Sequence, residues 1–149
     1  MEKYAHPPFL QNRVTAEQYK HWLDRKAAAH LRRDRKRGNK SATKANYKGA
    51  IHQAVLDSQG RDAYTGELLD WTIIGKYDND SAQADGRHYK KRFGLLPTVD
   101  HVSDGLGAAD FRICSWRTND AKNDLTLLEF LAVCKTVLEH NGYKVQRDS

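Results

Sequence analysis

The chain has 149 residues, 39% apolar and 30% charged, with a formal net charge of +6. That is the size of one domain with enough apolar content for a core, and no run approaches the roughly 18 apolar residues of a membrane span. Cys114 and Cys134 form no Cys-x-x-Cys pair, which excludes a four-cysteine zinc knuckle; they read as two buried thiols, not a disulfide framework.

Residues 1–14 read as an irregular lead-in, because Pro7 and Pro8 block a helix. The opening residues lack the apolar stretch of a signal peptide, so a cytoplasmic location is expected. Thr15-Ala16-Glu17-Gln18 fits a capping box and predicts a helix running to about Arg37 and stopping at Gly38-Asn39. Tyr19, Trp22, Leu23 and Ala27 form its apolar stripe. Ser41 or Thr43 caps a second helix, on which Tyr47, Ala50, Ile51, Ala54 and Val55 share one face and Gly60 takes the left-handed position after the end.

Charge is concentrated in these two helices. Residues 25–48 carry ten cations (Arg25, Lys26, Arg32, Arg33, Arg35, Lys36, Arg37, Lys40, Lys44 and Lys48) against Asp34 alone, a local +9 that leaves −3 for the rest. An ordinary solvated helix mixes signs for i,i+4 support. A patch this one-sided points to a polyanion whose phosphates release counterions on binding. Residues 1–60 are therefore expected to form a basic helical arm that binds DNA.

Asp62–Glu67 reads as a turn before a short strand near Leu68–Ile74. Residues 75–94, with Asp78-Asn79-Asp80, Asp85-Gly86 and the basic clump Arg87–Arg92, read as a long polar loop of the functional kind. Leu95–Val102 and Phe111–Trp116 are the best strand candidates, joined by the bend Ser103–Asp110, and a short helix is expected over Asn119–Asn123. Thr126-Leu127-Leu128-Glu129 is a second capping box. It opens a last helix on which Leu127, Phe130, Leu131, Cys134, Val137 and Leu138 line one face, ended by Asn141-Gly142. The fold class expected is α+β.

Within 100–123 a carboxylate and an imidazole stand side by side, and two asparagines follow four residues apart. Strand alternation puts Asp100 and His101 on opposite faces, so they cannot share one task. Asn119 and Asn123 lie one helical turn apart. If hairpin and helix meet, Asp100 and the two amide oxygens can hold one divalent ion, a set that suits Mg²⁺ or Mn²⁺ better than zinc. Taken singly, Asn119 also reads as a helix cap and Asn123 as a C-cap. His6, His21, His30, His52, His88 and His140 have no such context and read as surface or helix-face residues; Trp22, Trp71 and Trp116 read as core.

The order Asp-His, bend, apolar strand, Asn-x-x-Lys-Asn over residues 95–124 resembles the HNH (ββα-metal) endonucleases, and Thr65-Gly66-Glu67-Leu68 adds a weaker echo of a turn that often precedes their motif. The resemblance implies a ββα-metal hairpin-helix core over 61–149, with the last helix packed against it. It also implies a single Mg²⁺ or Mn²⁺ held by Asp100, Asn119 and Asn123, no structural zinc, and His101 as the general base. Lys122 would lie beside the scissile phosphate or support the fold. Asp110 stands where the family's hairpin-bracing asparagine stands, and an ionised Asp cannot donate as an amide does. The usual proline after Asp-His is replaced by Val102-Ser103.

The function expected is metal-dependent hydrolysis of DNA, double-stranded, with no membrane and a homodimer open. Arg32, Arg33, Arg35, Lys36, Arg37, Lys40, Lys44 and Arg117 track the backbone, while Arg112, Arg117 or Lys122 neutralises the attacked phosphate. The alternatives are a basic nucleic-acid-binding module without catalysis and an assembly factor whose arm binds an acidic protein.

Overall fold

The computed structural model describes residues 3–74, 91 and 93–148. Most of the polar segment 75–94, including His88 and nearly all of its basic clump, therefore lies outside the described residues. Among those described, the chain is α+β: four α-helices, two 3-10 turns and one two-stranded antiparallel sheet. No described helix is long and apolar enough to cross a membrane.

Helix α1 spans Ala16–Lys36 and begins with the expected capping box, in which Thr15 Oγ1 accepts from the Gln18 amide and Gln18 Oε1 from the Thr15 amide, each at 3.0 Å. Its buried face is Tyr19, Trp22, Leu23, Ala27, His30, Leu31 and Asp34. The apolar stripe thus runs on into a histidine and a carboxylate. Gly38, at φ +110°, turns the chain in the left-handed region open to glycine. Helix α2 (Lys44–Ser58) is capped by Thr43 and buries Tyr47, Ile51, Ala54 and Val55. Its left-handed cap is Gln59 at φ +53°, one residue earlier than expected, with Gly60 also at positive φ.

The strand expected near Leu68–Ile74 does not form. Only a single bridge joins Arg61 to Leu68, and Trp71–Ile73 is a 3-10 turn. Asp70 bends the chain there, accepting from the Thr72 amide and hydroxyl, while Trp71 is wholly buried with its indole N–H on the Gly60 carbonyl. Strands β1 (Pro97–His101) and β2 (Phe111–Ser115) pair in the register Pro97↔Ser115 to His101↔Phe111, slightly shorter than expected.

Helix α3 is Trp116–Lys122, capped by Ser115, so it starts earlier than expected and Asn123 lies just beyond it at φ +52°. Helix α4 (Leu127–His140) has its expected capping box between Thr126 and Glu129, but none of its residues is buried. Its apolar stripe, expected to pack on the core, is exposed at Leu127, Leu131, Val137 and Leu138. Cys134 on this helix is half-buried, whereas Cys114 in β2 is fully buried.

One hydrophobic cluster joins the lead-in (Leu10, Val14), α1, α2, Trp71 and the hairpin residues Val99, Phe111 and Ile113. The basic helices and the hairpin therefore share a core. Each buried Leu, Ile or Phe side chain contributes on the order of 2 kcal/mol. That shared burial fixes the hairpin's inner face against α1 and α2, and Asp100 and His101 sit at its bend end, just before residues 102–110.

Candidate active site

The pleat separates the neighbours on β1. Asp100 meets the turn before the hairpin and α3: its Oδ2 accepts from the Tyr64 hydroxyl at 2.5 Å and from Lys122 Nζ at 2.9 Å. The Lys122 and Asp100 side chains are only 5% and 10% exposed, so this is a buried ion pair. Removing one partner of such a pair typically costs about 3–5 kcal/mol. Burial, and then the bond to Asp100, push the Tyr64 phenol far up, so it stays a donor. The turn carrying Tyr64 is stapled by buried Asp62, which accepts from the amides of Tyr64, Thr65 and Ser115. Burial alone would raise the Asp62 carboxyl; those amide bonds, with the Thr118 side chain, outweigh it and hold the group below its ordinary value.

His101 faces the helices. Its Nδ1 lies 2.6 Å from Oδ2 of Asp34, which also accepts from the Tyr47 hydroxyl at 2.5 Å. The ring packs 4.5 Å from Phe111, its cross-strand partner, and edge-on to Tyr47. Nε2 lies 3.4 Å from the Ala108 carbonyl, too far for a strong bond. Asp34 is completely buried. The one anion inside the basic segment thus holds the imidazole.

The bend between the strands is held from the same side. Asn39 Nδ2 donates to the Gly105 carbonyl at 2.8 Å, and Asn39 Oδ1 accepts from the amides of Ser41 and Ala42. Asp110 does not brace the bend through its side chain: that carboxylate is exposed and paired with Arg112 at 2.7 Å, while its backbone carbonyl accepts from Val102. Gly105 backs directly onto Asp34, since a Cβ there would stand 2.5 Å from Asp34 Oδ1.

Asp100, His101, Lys122, Asn119 and Asn123 line one cleft of about 960 Å³. Asn119 sits within α3 and is not its cap; the cap is Ser115. Asn123 is the C-cap, and its amide donates to the Asn119 carbonyl at 2.8 Å. The two asparagines reach the cleft from a helix and its end, not from one continuous helical face. From α1 and its C-cap, His30, Arg33 and Arg37 also line the cleft.

The remaining cations divide. Arg32, Arg35, Lys36, Lys40 and Lys44 are exposed, and Arg35 also donates to the Ala42 carbonyl. Arg117 is turned away onto Glu67, with contacts of 2.5 and 2.7 Å, and Arg112 onto Asp110. His30, read as a surface or helix-face residue, lies on the buried face of α1, with Nε2 on the Val99 carbonyl at 3.1 Å and Nδ1 without a partner among the described residues. Burial, then the nearby Arg33 and Lys26, lower its pKa to about 4.

Spacing in the sequence brought out Asp100, His101, Asn119 and Asn123 but not Asp34, Tyr47 or Tyr64. One signal did exist: extending the α1 stripe at 3.6 residues per turn lands on His30 and Asp34.

In kind, the donors fit a hard divalent cation, with one carboxylate and two amide oxygens on a single cleft. In charge the fit is weaker, because Lys122 already neutralises Oδ2 of Asp100. Among the described residues no three His, Cys, Asp or Glu side chains converge as a metal site. No family model, curated protein or solved structure matches the chain.

Proposed function

We propose that the chain is a divalent-metal-dependent DNA endonuclease of the HNH (ββα-metal) type, with the β1–β2 hairpin and α3 as its catalytic core and the basic helices as its DNA-binding face. The observation that carries this reading is the convergence on one cleft of Asp100, His101, Asn119 and Asn123, with Arg33 and Arg37 beside them.

In this reading His101 takes the proton from the attacking water. A neutral imidazole offers one ring nitrogen lone pair and can accept that proton there. The oxygen of that water bonds to phosphorus as the bond from phosphorus to the 3′ oxygen breaks, and the leaving oxygen is protonated from solvent. Arg33 and Arg37 face the phosphates from α1, where their charge favours the transition state. Lys122 holds Asp100 in place and so supports a ligand without contacting the phosphate. A Mg²⁺ or Mn²⁺ ion held by Asp100, Asn119 and Asn123 would supply charge stabilisation at the phosphate and the leaving oxygen.

A second reading, a nucleic-acid-binding module without catalysis, is favoured by one observation: the carboxylate meant for a cation already carries Lys122. Incubation of supercoiled plasmid with Mg²⁺ or Mn²⁺ separates the two. Nicked or linear product that disappears with EDTA supports the nuclease. Salt-sensitive binding with no cleavage under any divalent ion supports the binding module.

A further inference from the structure

We infer that Asp34 is a positioning residue for His101: held by Tyr47, its buried carboxylate accepts the Nδ1 proton of the imidazole and leaves Nε2 as the ring nitrogen with the lone pair. The geometry is local, and it uses Oδ2 alone, since Oδ1 has no hydrogen-bond partner among the described residues. Asp34 Oδ2 lies 2.6 Å from Nδ1 and 2.5 Å from the Tyr47 hydroxyl, and the pair is almost wholly shielded from water, with the two side chains 5% and 0% exposed. An ionised carboxylate has only acceptor sites. Tyr47 occupies one lone pair as donor, so the Nδ1 contact is satisfied only by an N–H from the ring. The neutral ring then carries its lone pair on Nε2, beside the Ala108 carbonyl.

The groups around the ring are Asp34 and His30 on α1, Arg37 at its C-cap, Tyr47 on α2 and Phe111 on β2, with Arg37 3.9 Å from Asp34 Oδ1. The α1–α2 corner fixes the hairpin bend as well, through Asn39 on Gly105. The basic helices therefore do more than bear charge: the one acidic residue of segment 25–48 selects the tautomer of the histidine.

The kinetic consequence rests on the nuclease reading above; the tautomer does not, and the experiment measures both. Nitrogen-15 chemical shifts of the His101 ring in the full-length protein should show the Nδ1–H tautomer in the neutral form. Asp34→Asn should populate the Nε2–H tautomer, because an amide N–H can donate to Nδ1. In plasmid cleavage the same variant should lower kcat at least about 100-fold, the size of a general-base contribution, with KM within about twofold. Tyr47→Phe, which leaves the Asp34–His101 contact in place, should keep the tautomer and lower kcat far less. If Asp34→Asn does not fold, the wild-type and Tyr47→Phe tautomers decide. A wild-type ring in the Nε2–H form, or wild-type kcat in a folded Asp34→Asn, overturns the assignment. A wild-type protein with the Nδ1–H ring but no cleavage overturns the nuclease reading and leaves the Asp34 assignment standing.

Discussion

At the scale of single residues, the site is built from side chains that have little freedom to change. His30 is neutral and buried, with no acceptor near Nδ1 among the described residues, and its pKa lies near 4 against about 6.5 in an unfolded chain. The unfolded state therefore binds a proton between those values and the folded state does not, so stability falls as pH drops from about 6.5 toward 4. Urea unfolding at pH 7 and pH 4.5 should show this loss, and His30→Gln should reduce it; identical losses in the two proteins would remove His30 as the cause. Gly105→Ala meets two obstacles at once, a φ of +84° and an Asp34 oxygen 2.5 Å from the new Cβ. It should cost about 2 kcal/mol or more in chemical denaturation and should disturb the His101 ring resonances, whereas Gly107→Ala, where a Cβ meets nothing within 4 Å, should leave them in place. Asp100, His101, Asn119 and Asn123 were legible because a strand and a helix end place them by spacing alone. Asp34 reaches His101 across 67 residues and Tyr64 reaches Asp100 across 36, and local patterns do not carry such distances.

Among the elements, caps and periodicity carried most of the information. Thr15 and Thr126 cap the helices expected of them, and Thr43, one of two candidates with Ser41, caps α2. Thr15→Ala should cost about 1 kcal/mol in thermal or urea unfolding. The segment near Leu68–Ile74 was not legible as a turn, because its apolar residues suit a buried strand equally well and only the Asp70 bonds to Thr72 decide the matter. Helix α4 shows the converse limit. Its period predicts an apolar stripe correctly, but period says nothing of what covers that stripe, and here it is exposed. Leu131→Glu should therefore change the monomer's unfolding free energy by less than about 0.5 kcal/mol. A loss of several kcal/mol would mean that the stripe is covered in solution.

Across the whole molecule, charge and core are superimposed. The residues that make 25–48 strongly basic lie on helices whose other faces form the core with the hairpin, so a basic surface and the candidate site belong to one body. Arg33 and Arg37 stand at the cleft, while Arg112 and Arg117 are held by Asp110 and Glu67. Affinity for duplex DNA should fall linearly with salt on logarithmic axes. Replacing Arg33 and Arg37 together by Ala should flatten that slope by up to about 2, whereas Arg117→Ala should leave it nearly unchanged. Catalysis at His101 is tested most directly by cleavage and binding of one supercoiled plasmid with Mn²⁺, wild type against His101→Ala. Metal-dependent nicking by wild type, lost in His101→Ala while salt-sensitive binding persists, is the predicted result. Equal nicking by both proteins, or none by wild type with any divalent ion, would contradict it.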